Sequence, residues 1–302
     1  MNGNLVVTQL LVVALALVMF GLGLSLSTQD FTRLLKHPKA VVVALALQII
    51  VLPLACYGLI VALKVPPLFA VGLMLLAASP GGISANLFSH LFGGNVAMNI
   101  SLTAVNTVLS IITLPLISNW AIQHFANTGQ VVPLQFGKVV EVIAIVLVPV
   151  VIGMWVRTQK PGFAARTEKP MKVFSAVVLA VVAIGALVKE WQALSTTFAA
   201  VGPAVVAFNL VSLLAGYYLS RASGLDKAMA TAISYEIGIH NSTLAIFIAL
   251  AVLNNFQLAL PAAIYSVSMY LTATLFGLLV LRRTSPPTQA AVQASSVVFH
   301  SV

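Results

Sequence analysis

Tyr235-Glu236-Ile237-Gly238-Ile239-His240-Asn241-Ser242 stands in the middle of an apolar run that extends from residue 226 to 253. A run of that length is a membrane-spanning candidate, because about 20 mostly apolar residues cross the hydrocarbon core as a helix. A carboxylate, an imidazole, an amide and a hydroxyl at its centre are costly in lipid, and backbone freed from a helix survives at membrane depth only where it is buried in protein or lines a cavity. The stretch therefore predicts a discontinuous helix inside a polytopic bundle. A second interruption, Ser79-Pro80-Gly81-Gly82, breaks the run from 68 to 92.

The rest of the chain fits an all-α membrane protein. Of its 302 residues 60% are hydrophobic and 7% are charged, against about a quarter charged in a soluble domain. On the length criterion there are nine transmembrane segments, at residues 5 to 27, 40 to 63, 68 to 92, 95 to 124, 133 to 157, 171 to 190, 196 to 221, 226 to 253 and 259 to 282. The first has no basic residue before it and is too long for a cleavable signal peptide, so it is expected to remain in the mature protein. Residues 284 to 302, rich in Ser, Thr and Gln with two prolines, read as a disordered polar tail. The single Cys56 lies in an apolar run and offers no internal disulfide.

A net charge of +9 would suggest nucleic acid in a soluble chain, but here the basic residues fall in the links between apolar runs. No nucleic-acid partner and no obligate protein partner is expected; the bilayer is. Arg33, Lys36, Lys39, Arg157, Lys160, Arg166, Lys169, Lys172, Arg221, Lys227, Arg282 and Arg283 lie on one side, with Lys64, Lys138 and Lys189 on the other. That bias predicts a multi-pass inner-membrane protein with its amino terminus outside and its carboxyl terminus, tail included, in the cytoplasm.

The two breaks fall in segments three and eight. Splitting the chain after segment four makes the halves match if the first lacks its leading helix, each then placing a broken helix fourth of five. Five helices per copy make the repeat inverted. Paired interruptions in inverted halves point to the binding site of a secondary transporter.

Six acidic residues are present. Asp30, Glu168, Glu190 and Asp226 fall in links or at helix ends, and Glu141 sits near a membrane entrance close to Lys138. Glu236 alone is left at mid-membrane, where no Lys or Arg is available to it. Its partner is a bound cation, a proton on the carboxyl, or a shell of neutral hydrogen bonds. Ser84, Asn86, Asn99, Thr103 and Gln48 supply uncharged oxygens at similar depth, with Asn99 and Thr103 one helical turn apart. One carboxylate among amide, hydroxyl and freed carbonyl oxygens suits sodium better than calcium, which recruits several carboxylates, or zinc, which takes His and Cys clusters.

The runs Met19-Phe20-Gly21-Leu22-Gly23-Leu24, Asp30-Phe31, Lys36-His37-Pro38-Lys39, Pro80-Gly81-Gly82 with Asn86, Gly94-Asn95-Val96-Ala97 and Glu236-Ile237-Gly238-Ile239-His240-Asn241-Ser242 together resemble the bile acid sodium symporter family. The likeness extends over residues 5 to about 282 and corresponds to a nine-helix form lacking the first of ten helices. It implies a transmembrane domain over residues 1–283. Within it the panel would draw on parts of 5–63 and 133–190, and the core on about 40–125 and 196–282, with two discontinuous helices crossing in the core. It also implies one sodium site at Asn86, Asn99, Thr103 and Glu236. A second would lie at Gln48, Glu236, His240 and the carbonyls of Ile237 and Ile239. The chain departs from the family at Ile83 and Ala85, at His240 where glutamine is usual, and at Ser268-Met269-Tyr270 in the last helix.

The resulting expectation is a secondary active transporter, not an enzyme, that couples one or two sodium ions to symport of a small organic anion, a monocarboxylate or a bile-acid-like molecule, by alternating access. Asn241 is the leading candidate for substrate contact, followed by Ser84, Asn209 and Ser266. One alternative uses His240, whose unperturbed pKa is near 6.5, for proton-coupled or mixed sodium and proton transport. Another is a channel or sensor on the same fold. An intramembrane hydrolase is disfavoured, for want of a metal-ligand motif or an aspartate within a span.

Overall fold

A computed structural model describes residues 2–126, 136–167, 170, 177 and 191–281. Regular structure among the described residues is helical, and the only β pairing there is an isolated bridge. In chain order the helices are α1 (Asn2–Ser25), α2 (Thr28–Leu34), α3 (Pro38–Ala62), α4 (Pro67–Ala78), α5 (Ser84–Leu91), α6 (Val96–Phe125), α7 (Phe136–Gln159), α8 (Trp191–Ala222), α9 (Lys227–Gly238), α10 (Ser242–Val252) and α11 (Phe256–Leu281). Five of these have the length and apolar character to cross a membrane, or six spans if α1 and α2, bent by 68° at their junction, count as one. Eight of the nine predicted segments have a helical counterpart. The predicted segment at 171–190, and the tail at 284–302, lie outside the described residues.

The two predicted interruptions are present. α4 ends at Ala78 and α5 resumes at Ser84; α9 ends at Gly238 and α10 resumes at Ser242. The causes are local. Pro80 has no N–H for a helical bond and biases Ser79 away from helical backbone, and Ser79 is accordingly extended, at φ −71° and ψ 143°. At the second break Gly238 ends the helix and Asn241 caps the next one, its Oδ1 accepting from the Leu244 N–H.

The sequence does not indicate the π turns. Leu47–Val51 in α3, Ile248–Val252 in α10 and Gly277–Leu281 in α11 are π-helical. In α3 the cause is visible: Pro53 follows within the same helix, and a proline both lacks a donor and crowds the carbonyl four residues earlier, which a wider turn relieves. The wider turn includes Gln48, which is buried.

Close helix packing depends on small residues. α1 and α7 meet at Gly23 and Gly153, where a Cβ on Gly153 would lie 2.5 Å from the Phe20 carbonyl oxygen and 2.8 Å from the Gly23 Cα. Backbones approach this closely in membranes where dispersion contacts replace the hydrophobic drive.

Candidate functional site

The two breaks lie against each other. Gly81 and His240 form an antiparallel bridge in which the Gly82 N–H donates to the Ile239 carbonyl at 2.6 Å and the Asn241 N–H to the Pro80 carbonyl at 2.8 Å. Backbone groups released by each broken helix are thus partly satisfied by the other, as burial away from water requires. Two further carbonyls at this break, those of Ala77 and Ser79, are capped by side chains from elsewhere. Gln48 Nε2 donates to Ala77 O at 3.3 Å and Ser79 O at 3.1 Å, and His240 Nδ1 lies 3.1 Å from the same Ser79 O. On the other half, Gly238 O accepts from Asn209 Nδ2 at 2.6 Å and from the Tyr265 hydroxyl at 2.8 Å. An amide from the α3 side therefore caps one break and an amide from the α8 side the other.

Glu236 sits over this crossing and is fully buried. Its Oε2 accepts from Thr103 Oγ1 at 2.6 Å and its Oε1 from Asn106 Nδ2 at 3.0 Å, while the Gly81 backbone amide also faces it. The carboxylate lies directly on Gly81: a Cβ there would stand 2.3 Å from Oε1. Among the described residues no Lys or Arg pairs with Glu236; an ion pair elsewhere joins Asp30 to Arg33 at 2.9 Å. The other interior acid, Asp30, caps α2 through the Ser27 N–H, and Asp226 caps α9 at the Met229 N–H.

The shell around Glu236 is rich in acceptors without donors. Carbonyl and carboxylate oxygens only accept, so each amide bonded to one must present its nitrogen there and leave its oxygen elsewhere. Gln48 does so at Ala77 O and Ser79 O, Asn99 at Ala232 O (2.7 Å) and Asn106 at Glu236. The outcome is that Gln48 Oε1, Asn99 Oδ1 and Asn106 Oδ1, together with Asn86 Oδ1, are buried without a partner. The same logic fixes the His240 tautomer: Nδ1 must carry the hydrogen that Ser79 O accepts, and Nε2, buried and unpartnered, presents its lone pair. Phe208 stacks on the imidazole at 5.4 Å and Tyr265 flanks it at 5.6 Å. A buried unsatisfied polar atom costs about 1–3 kcal/mol, so these lone pairs call for a partner that accepts electron pairs, either a hydrogen-bond donor such as water or a metal ion. A cation meets that description. Among the described residues no three His, Cys, Asp or Glu side chains come together, and the unpartnered groups at the crossing are neutral amide oxygens and the His240 ring nitrogen.

The structure thus brings together Gln48, Asn99, Thr103, Glu236, Ile239 and His240 around the crossing. The Ile239 carbonyl already accepts from Gly82. Asn106 was missed by the sequence reading, although Asn99, Thr103 and Asn106 follow one helical stripe at spacings of four and three. The substrate candidates separate. Asn241 spends Oδ1 on its helix cap. Ser84 Oγ lies 3.1 Å from the Tyr270 hydroxyl, bringing one of the departures in the last helix to the start of α5. Ser266 donates back to Ala263 O in its own helix. Asn209 is completely buried, with its nitrogen on Gly238 O and Tyr265 and its oxygen accepting from Thr272; it holds the end of α9.

Residues 12–197 match the sequence model described as the sodium bile acid symporter family. The chain is 29% identical over 259 residues to a probable chloroplastic sodium/metabolite cotransporter of Arabidopsis thaliana, covering 85% of this chain and 63% of that relative. It is 26% identical over 262 residues to an uncharacterized sodium-dependent transporter of Bacillus subtilis (strain 168), covering 86% and 79%. It is 25% identical over 243 residues to the human ileal sodium/bile acid cotransporter, covering 80% and 69%.

Proposed function

Because the chain belongs to the sodium bile acid symporter family, we propose that it is a secondary transporter in which sodium bound at Glu236 drives symport of a small organic anion. The observation that carries this reading is the set of buried, unpartnered acceptors at the crossing, beside a carboxylate that has no cationic side chain as partner among the described residues. One sodium ion would take Asn86, Asn99, Thr103 and Glu236, with Asn106 orienting the carboxylate. A second would take Gln48, Glu236, His240 and the carbonyls of Ile237 and Ile239.

The coupling follows from the bridge. A cation shared by Glu236 on α9, Asn99 and Thr103 on α6 and Asn86 on α5 ties both broken helices to one frame, and so stabilises the ordered crossing. An anion that binds beside the crossing, at Asn241 and Ser84, is held only when the crossing is ordered. Sodium and anion then raise each other's affinity by the same factor. With no basic side chain at the site among the described residues, the anion relies on the bound cation and on helix N-termini, which favours a small charge such as a monocarboxylate. Movement of a core formed by α3 to α6 and α8 to α11 against a panel containing α1 and α7 would expose the site alternately. In the inner membrane, the basic end of the bundle would face the cytoplasm.

The test is thermal unfolding of the purified protein against a panel of monocarboxylates in sodium and in potassium chloride. Sodium is expected to raise the unfolding temperature, and one class of anion to raise it further only in sodium. Equal stability in both salts would overturn the reading. Accumulation against a gradient in vesicles separates a transporter from a channel.

A second reading, mixed sodium and proton coupling, is favoured by the His240 Nε2 lone pair, which a proton could occupy in place of the second sodium. It predicts that sodium-driven uptake depends on pH and that His240→Gln removes the dependence. Uptake independent of pH in both proteins would leave sodium alone.

A further inference from the structure

The ends of α1 and α7 meet, and a short helical stretch leaves each of them from that contact. Arg157 Nη1 donates to Leu24 O at 2.7 Å. α2 starts one turn after Leu24 and is bent by 68° from α1, so it runs across the axis of the span and not along it. On the other side the chain breaks at Lys160 and continues as helix over 161–167.

Both stretches have a buried face and an exposed face, and the exposed faces share one chemistry. In α2 Asp30 and Leu34 are buried, while Leu35, just past its end, is 81% exposed beside the exposed Lys36. Arg33 belongs to the inner side, with Nη1 on Asp30 Oδ1 and 3.4 Å from the Ala97 carbonyl at the start of α6. In 161–167 the buried Ala164 seats the stretch on the bundle. Lys160, Phe163 and Arg166 follow one another at spacings of three, so they share a face. All three are exposed, Phe163 by 53%, and Trp155 near the end of α7 is 62% exposed. Large apolar side chains flanked by cations at the end of a span suit headgroup depth: the apolar part enters the acyl boundary while the charged end reaches the phosphates.

The charge here is one-sided. Residues 28–39 and 155–167 contain Arg33, Lys36, Lys39, Arg157, Lys160 and Arg166 against one acid, Asp30, and Asp30 is occupied by Arg33 and the Ser27 N–H. The next two charges in the chain, Glu168 and Lys169, cancel. Arg157 is held by Leu24 O, and Lys39 Nζ turns toward Gly224, 3.3 Å from where a Cβ there would be. The side chains of Lys36, Lys160 and Arg166 bond to no other described residue.

We propose that the outer faces of α2 and of 161–167 form a docking surface for anionic phospholipid headgroups in the leaflet at the basic end of the bundle. Lys36, Lys160 and Arg166 meet the headgroup charge, and Leu35, Phe163 and Trp155 meet the first carbons of the acyl chains. A zwitterionic headgroup carries the same phosphate but brings its own cation to a basic surface, so net charge is what this surface selects. The surface does not depend on the sodium reading.

The test titrates the purified full chain, in detergent and low-salt potassium buffer, with fluorescent phosphatidylglycerol or with phosphatidylcholine of the same acyl chains. Phosphatidylglycerol is expected to bind at least about tenfold more tightly. Each surface cation is expected to contribute about fivefold, so the triple variant Lys36→Gln, Lys160→Gln, Arg166→Gln should bind the two lipids alike. These positions are exposed, so its unfolding temperature should match the wild type. Lys64→Gln, exposed at the opposite end, should keep the preference. The Leu35→Ser, Phe163→Ser double variant should bind both lipids several-fold more weakly with their ratio unchanged. Equal binding of the two lipids by the wild type overturns the proposal, as does a preference that survives the triple variant. A loss as large in Lys64→Gln would assign the preference to net charge alone, and displacement of the lipid by millimolar inorganic phosphate would make this a free-anion site; either result overturns the lipid surface.

Discussion

Glu236→Ala should abolish both the sodium-dependent rise in unfolding temperature and concentrative uptake, while the protein still reaches the membrane and folds. The carboxylate is the one anionic group on the site, fully buried and without a cationic side chain among the described residues. Truncating one member of a buried charge pair costs about 2–5 kcal/mol, so sodium affinity is expected to fall by about a hundredfold or more. The stability of the sodium-free protein should change little, or improve, because a buried carboxylate carries a desolvation cost that alanine removes. Glu236→Gln separates charge from shape: its amide can still accept from Thr103, yet the sodium response should be lost as completely as with alanine. Full sodium-driven uptake by either variant would refute the site. A variant that loses sodium response only because it unfolds would be recognised by a lowered unfolding temperature in potassium chloride.

The second large effect is expected at a residue with no side chain. Gly81→Ala places a methyl 2.3 Å from Glu236 Oε1 and 2.6 Å from Oε2, distances that no relaxed structure tolerates. Gly81 does not have positive φ, so the demand is for space and not for an unusual backbone. Either the carboxylate moves off Thr103 and Asn106, or the bridge to His240 opens; both disperse the ligand set. Loss of sodium response approaching that of Glu236→Ala is expected, together with lower stability, since overpacking costs about 1–3 kcal/mol. Gly82→Ala is the comparison. Its Cβ would meet the His240 and Ile239 carbonyl oxygens at 3.2 Å, tight but adjustable by a few tenths of an ångström. Its effect should be clearly smaller. Equal effects at the two glycines would mean that the bridge, and not the seat of the carboxylate, is what Gly81 protects.

Much of this arrangement could be read from residues alone, because a bilayer imposes simple rules. Apolar length marked the spans, Pro80 and Gly238 marked the breaks, and one acid without an edge to occupy marked the candidate site. The paired interruptions anticipated that the broken helices belong together. Asn106 escaped the reading although it shares a stripe with Asn99 and Thr103, since an asparagine in a membrane helix is as readily explained by a bond between helices. The π turn at Gln48 escaped because Pro53 in an apolar helix signals a kink without saying which neighbour absorbs it. Asn209 illustrates the opposite case: a polar residue at the right depth whose nitrogen and oxygen are both taken by Gly238, Tyr265 and Thr272.

What the sequence determined by itself was the solvent of the protein, the places where helices must break and the carboxylate that cannot be left in lipid. These follow from costs borne by single residues or short runs, and are the same in any fold. Only the tertiary structure decided which acceptors remain free. Whether the oxygen of Gln48, Asn99 or Asn106 is spent or available depends on which carbonyl its nitrogen meets across the bundle, a relation between residues far apart in the chain. The same holds for His240, where contact with Ser79 O selects the tautomer and leaves Nε2 to face the site.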